Sequence, residues 1–295
     1  MTIDASKQVY ESAATGWQRG LYDDIKTTFR APVVNWFFRT LMANQPTFLR
    51  YAWGQLKPAF ETRAFARYEV EYRDTVLTVL EEDRTLPHYD PTTAGISPAE
   101  FREARGQLVT LDTVIPRLAF LFETLDRALS DEPVGESPAE DWEATAPFPE
   151  MNRESGRSVT MTPFEDVPDS LAETVASIQD VHGFDSGLPT IYRSLAQWPS
   201  LLETMWDDLE PVLESTAFEA ACVSSWSNAA EQASALAYTP RLSPADLRDV
   251  GMTDEDIEGL QGLAEQFRHG PVETVLPAVT LYAATLGATG PRRLG

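Results

Sequence analysis

The sequence predicts an all-α protein built from two tandem helical repeats that pack as an intramolecular pseudo-dimer. Three observations carry that expectation. Blocks of residues recur in the same order roughly 146 to 161 positions apart, apolar residues inside them recur at 3–4 spacing, and strand-like alternation is scarce. The expected organisation is repeat one at 1–130, a linker at 131–170 and repeat two at 171–295.

The elements follow in chain order. Phe38-Arg39-Thr40-Leu41 returns as Tyr192-Arg193-Ser194-Leu195, each near the start of a short predicted helix. Pro46 and Pro199 open the next helix of each copy, since proline suits the first helical position. Leu49, Ala52, Trp53 and Leu56 then share one face, as do Leu202, Met205, Trp206, Leu209 and Leu213. Tyr68 to Val79 is the stretch whose pattern least separates helix from strand. Ser97-Pro98-Ala99-Glu100 and Ser243-Pro244-Ala245-Asp246 each combine a capping serine, a helix-opening proline and a carboxylate three residues after the cap. Thr113-Val114-Ile115-Pro116 returns as Thr274-Val275-Leu276-Pro277 in the last helix of each copy. The uncharged run from Thr274 to Pro291 contains prolines and glycines, and reads as a buried helix and its exit rather than a membrane span.

Between the copies, residues 131–170 are rich in Pro, Glu and Ser, with 11 acids against two arginines. An exposed linker is expected there, tacked down by Trp142, Phe148, Met151 and Phe164.

Charge narrows the partners. The chain carries 46 acidic and 23 basic side chains, a net of −23, and only three of the bases are lysine. Such a surface repels phosphate backbones and anionic bilayers, which argues against nucleic-acid and membrane partners. It suits a protein kept soluble in brine, where salt screens self-repulsion, and so a salt-adapted source. The polar start Met1-Thr2-Ile3-Asp4 lacks a signal-peptide core, and a cytoplasmic location is expected.

Conventional catalytic sets are thin. His88, His182 and His269 are scattered, so no metal and no cofactor is expected. The single cysteine, Cys222, reads as a small buried thiol. More informative are the helix starts Asn35-Trp36-Phe37-Phe38-Arg39 and Pro189-Thr190-Ile191-Tyr192-Arg193, which a pseudo-twofold would bring to one shared cavity. Arg39 or Arg193 there can hold a carboxylate bidentately.

These starts, the following Pro199-x-x-Leu202-x-x-x-Trp206-x-x-Leu209-x-Pro211 helix and the duplication together resemble the group I 2-haloacid dehalogenases, with a haloarchaeal-like composition. The resemblance implies an all-helical pseudo-dimer related to the alkylhydroperoxidase-D-like fold. It also implies a short carboxylic or halocarboxylic acid as ligand, and water activated by an aspartate that displaces halide from C2. Residue by residue, it implies a binding set of Trp36, Phe37, Arg39, Thr190, Ile191, Tyr192 and Arg193. Thr190 fills the family's serine position, Ile191 stands where the aspartate base is expected, and Ile115 where a helper asparagine is expected. Asp185 is the nearest upstream acid and the candidate replacement base. Two other readings stand beside hydrolysis. One is a non-catalytic descendant that binds a small carboxylate; the other is an alkylhydroperoxidase-D-like redox protein using Cys222. A homodimer of the whole chain is a further expected partner.

Overall fold

The computed structural model describes residues 3–4, 6–135, 137, 143 and 156–293, and among these the regular elements are all helical. The first half holds α1 (Trp17–Phe29), α2 (Trp36–Asn44), α3 (Pro46–Phe60), α4 (Arg63–Asp83) and α5 (Pro98–Leu129). The second holds α6 (Ala172–His182), α7 (Thr190–Leu195), α8 (Pro199–Leu213), α9 (Thr216–Ser234), α10 (Pro244–Asp249), α11 (Asp254–His269) and α12 (Val272–Thr285). Single 3-10 turns at Phe164–Asp166 and Asp169–Leu171 lead into α6.

Local chemistry sets the helix ends where the sequence placed them. Pro46 and Pro199 are the first residues of α3 and α8. Ser97 Oγ accepts the Glu100 N–H at 3.3 Å to open α5, and Ser243 Oγ accepts the Asp246 N–H at 3.2 Å to open α10. The ambiguous stretch from Tyr68 to Val79 is helical throughout, because it lies inside the 21-residue α4. Tyr68, Tyr72, Val76 and Leu80 form its buried stripe, a helical period that β-favouring side chains conceal.

The long α5 is the spine, packing against α4, α9, α11 and α12, while α4 lies along α9. Because α5 is covered on several sides, it buries charge as well as apolar surface. Arg73 of α4 pairs with Asp112 of α5 at 2.7 Å, and Arg117 of α5 with Glu69 of α4. No helix among the described residues is long and apolar enough to cross a membrane.

Two strap-like segments close the molecule. At the beginning, the Asp4 N–H donates to Asn44 Oδ1 and Asn44 Nδ2 donates to Asp4 O, both at 3.0 Å, and the Val9 N–H donates to Arg39 O at 3.1 Å. At the end, the Gly290 N–H donates to Asp112 Oδ2 at 2.8 Å. A Cβ at residue 290 would stand 3.0 Å from the Arg73 guanidinium, so glycine lets the backbone reach the buried pair. Of the expected linker anchors, Phe164 is exposed, while Trp142, Phe148 and Met151 lie outside the described residues.

Candidate functional site

Arg39 and Arg193 stand at the same place in their helices. Asn35 caps α2 by accepting the Phe37 N–H at 2.9 Å, and Pro189 precedes α7; each arginine is the fourth residue after its cap. The loop before α7 turns sharply at Gly183 (φ 73°) and Gly187 (φ 77°), left-handed conformations that glycine adopts without strain. That turn returns Phe184, Ser186 and Leu188 to the wall of a cavity of about 480 Å³, into which both arginines also project.

The cavity is apolar on most sides. Leu111, Val114, Ile115, Leu118 and Phe122 come from α5, Phe267 from α11, and Val272, Val275, Leu276 and Val279 from α12 and its start. Its polar members are Gln8, Tyr10, Asn35, Arg39, Ser186, Thr190 and Arg193. A smaller lobe of about 130 Å³ shares Asn35, Trp36, Arg39 and Thr190 with it and adds Glu11 and Thr110. This mixture, an apolar body with a few convergent polar groups, is the usual make-up of a small-molecule site.

The two arginines differ in how they are held. Arg193 Nε donates to Thr162 O at 3.0 Å, and the Thr162 N–H donates to Arg193 O at the same distance, so the strand of chain leaving the linker fixes it. Arg39 lies over the Tyr10 ring, 5.0 Å from the centroid, and its buried Nε has no hydrogen-bond partner. Burial lowers the Arg39 guanidinium from its ordinary value and the nearby Arg193 charge adds to this, while Tyr10, Tyr22 and Glu11 oppose it. Two cations facing one apolar cavity make an anion-binding arrangement.

Acids are scarce here. Among the described residues no carboxylate lines the larger lobe. Glu11, on the smaller lobe, accepts the Val34 N–H at 2.9 Å and pairs with Lys26 at 2.9 Å. Asp185 is exposed and stands between two wall residues without itself lining the cavity.

Of the seven expected binding residues, Trp36, Arg39, Thr190, Ile191 and Arg193 line the cavity. Phe37 is buried instead against Phe122 and Phe267, ring centroids 5.1 Å from each. Tyr192 is turned away, its hydroxyl 2.6 Å from His182 Nε2. Helix geometry accounts for both: neighbours along a helix differ by about 100°, so the residue beside a wall residue can face the core instead. Gln8, Tyr10, Phe184 and Phe267 are wall residues that no motif announced.

Comparison with known proteins bears on this cavity. Residues 32–164 match the family model described as "Halocarboxylic acid dehydrogenase DehI". The likeness is to haloacid dehalogenases. A protein named (R)-2-haloacid dehalogenase from Pseudomonas putida is 34% identical over 98 residues, 32% of this chain and 32% of that relative. One of the same name from Rhizobium sp. (strain NHG3) is 33% identical over 70 residues, 24% of this chain and 26% of the relative. The matched part is thus about a third or less of the length of these relatives. Across 95% of both chains, the fold superposes on a D-2-haloacid dehalogenase complex with L-LA at a TM-score of 0.81, and on a mutant of such an enzyme at 0.80, each with 20% identity. The structural likeness establishes the fold, and the sequence matches support a haloacid dehalogenase family.

Proposed function

We propose that the cavity binds the anion of a short carboxylic or halocarboxylic acid. Arg39 and Arg193 take the carboxylate, and the α5 and α12 walls take the tail. One observation carries this: among the described residues, two arginines line a largely apolar cavity whose main lobe has no carboxylate to neutralise them. A charge on an apolar wall is costly unless it is paired, and an incoming carboxylate supplies the missing countercharge. The kinship with haloacid dehalogenases supports the same ligand class.

Calorimetry with 2-chloropropionate and with propionate tests the reading. Both acids are expected to bind, and Arg39→Met to weaken them about tenfold to a hundredfold, as for a lost charged hydrogen bond. Full affinity retained in Arg39→Met sinks it.

Hydrolytic dehalogenation is the activity the kinship favours. In it, a water oxygen attacks C2, the carbon–halogen bond breaks with its electron pair leaving on the halide, and the water's proton passes to a base. Ile191 on the cavity wall cannot accept that proton, which favours binding without turnover as the second reading. Halide release from both enantiomers of 2-chloropropionate, assayed in high salt, separates the two. Turnover assigns the proton to a carboxylate outside the main lobe, Glu11 or Asp185; its absence leaves a carboxylate-binding protein.

The internal pseudo-dimer, with boundaries at 1–130, 131–170 and 171–295, belongs to the same proposal. Its support is the identical helical position of Arg39 and Arg193. A salt-adapted source is proposed from the charge balance, and a cytoplasmic location and a homodimer remain proposals for the whole chain.

A further inference from the structure

We infer that His182, as the tautomer protonated on Nδ1, is a positioning residue of this cavity: it ties the start of α7 to the start of α12 and thereby sets where Arg193 stands. The inference rests on the carboxylate reading above and adds to it the device that holds one of the two arginines.

The segments that meet at this buried ring all supply cavity wall. His182 is the last residue of α6, and the loop after it contributes Phe184, Ser186 and Leu188. That loop is held back to α6, with Gln179 Nε2 donating to Gly187 O at 2.8 Å and the Phe184 N–H to Gln179 O at 2.9 Å. His182 Nε2 is 2.6 Å from the hydroxyl of Tyr192, which stands in α7 between the wall residues Ile191 and Arg193. His182 Nδ1 is 2.7 Å from the hydroxyl of Thr274, which stands in α12 between the wall residues Val272 and Val275.

Counting hydrogens assigns the tautomer. Each hydroxyl has one hydrogen, and the ring, kept neutral by burial, has one N–H. Thr274 Oγ1 also lies 3.2 Å from Pro271 O, which can only accept, so the Thr274 hydrogen goes there. Its oxygen then accepts from Nδ1–H, which leaves Nε2 bare to accept the Tyr192 hydroxyl. The hydrogens run one way, from Tyr192 through His182 and Thr274 to the turn that opens α12. Arg193 is pinned by Thr162 through Nε and through its own carbonyl, so the six-residue α7 is fixed at two neighbouring positions that point different ways. Orientation of so short a helix matters, because a clamping arginine displaced by about 1 Å loses much of its hold.

The tautomer is read on the unaltered chain by nitrogen NMR of the histidine rings, with His182 assigned by its loss in His182→Gln. Nδ1 is expected to carry the hydrogen; a hydrogen on Nε2 overturns the inference. Calorimetry with 2-chloropropionate then reads the positioning. His182→Phe, which removes both bonds, is expected to weaken binding about tenfold. His182→Gln, whose amide keeps one donor and one acceptor, is expected to stay within about threefold of the unaltered chain. Because His182 acts through Arg193, its effect is expected to vanish beside Arg193→Met and to persist beside Arg39→Met. Full affinity in His182→Phe overturns the inference and leaves the carboxylate site standing. So does an equal loss in the Phe and Gln variants, or a loss that is the same beside both arginine changes. Where His182→Phe does not fold, Tyr192→Phe, which deletes a single hydroxyl, carries the same comparison. No binding by the unaltered chain overturns the carboxylate reading and this inference with it.

Discussion

His182 lies between two hydroxyls, with Thr274 Oγ1 2.7 Å from Nδ1 and Tyr192 Oη 2.6 Å from Nε2. Burial pushes its imidazole down to about 4, so the folded protein holds it neutral. A depressed folded value means that the unfolded chain binds the proton first. The stabilisation is therefore complete above about pH 6.5 and is lost as pH falls towards 4. Between pH 6.5 and 5, before most carboxylates titrate, urea melts are expected to show a loss of about 2 kcal/mol, and His182→Gln to flatten that slope. An unchanged slope in the variant excludes His182 as its source. Cys222 follows the same logic. Burial pushes its thiol up to about 12, leaving little thiolate at neutral pH, so thiol reagents are expected to label the native chain only as fast as it opens. Rapid labelling without unfolding contradicts this and revives the redox reading. Residues of this kind show how far single positions were legible. Arg39 and Arg193 stood out because similar short sequence blocks surround both, whereas Gln8 and Tyr10 belong to a segment without a matching block or periodicity. Phe37 and Tyr192 were adjacent to true wall residues, and only the helix rotation distinguishes such neighbours.

At the scale of elements, α4 and α5 are joined by charges that the described structure buries almost completely. Arg73 Nε donates to Asp112 Oδ2 at 2.7 Å, its Nη2 donates to Asp112 O at 3.2 Å, and its Nη1 donates to Glu69 O at 2.9 Å. Removing one partner strands the other charge in a low dielectric. Asp112→Ala is thus expected to cost about 3–5 kcal/mol, read from denaturant midpoints. Replacing Arg73 and Asp112 together with apolar residues is expected to cost less than the single change. A single variant within about 0.5 kcal/mol of the parent excludes a structural role for the pair. Helix boundaries were the most legible elements, because Pro46, Pro199, Ser97 and Ser243 act through chemistry confined to one turn. The pairing of α4 with α9 was not legible. It depends on which apolar stripes meet after the chain has closed, and every amphipathic helix offers a comparable stripe.

Over the whole molecule, a net charge of −23 is distributed as −2 on residues 1–130, −9 on 131–170 and −12 on 171–295. The cavity takes little part in this excess, since its wall charges are the two arginines and, in the small lobe, Glu11. Self-repulsion of the surface weakens as the screening length falls from about 10 Å at 0.1 M salt to about 3 Å at 1 M. The thermal midpoint is therefore expected to rise over that range of KCl, followed by circular dichroism. A flat or falling midpoint counts against adaptation to brine. The all-α class survived from sequence to structure because periodicity is a property of many residues at once, which no single misplacement can erase.

The cavity draws its walls from distant parts of the chain: Gln8 and Tyr10 at one end, Val272 to Val279 at the other. During synthesis, then, a ribosome that has released α1 to α9 has produced most of the buried core but no enclosed site. The pocket closes only when α12 emerges and meets α5. Until then the unpartnered faces of α5 and the two arginines are open to the cell, so exposure to unwanted partners lasts until α12 has been made.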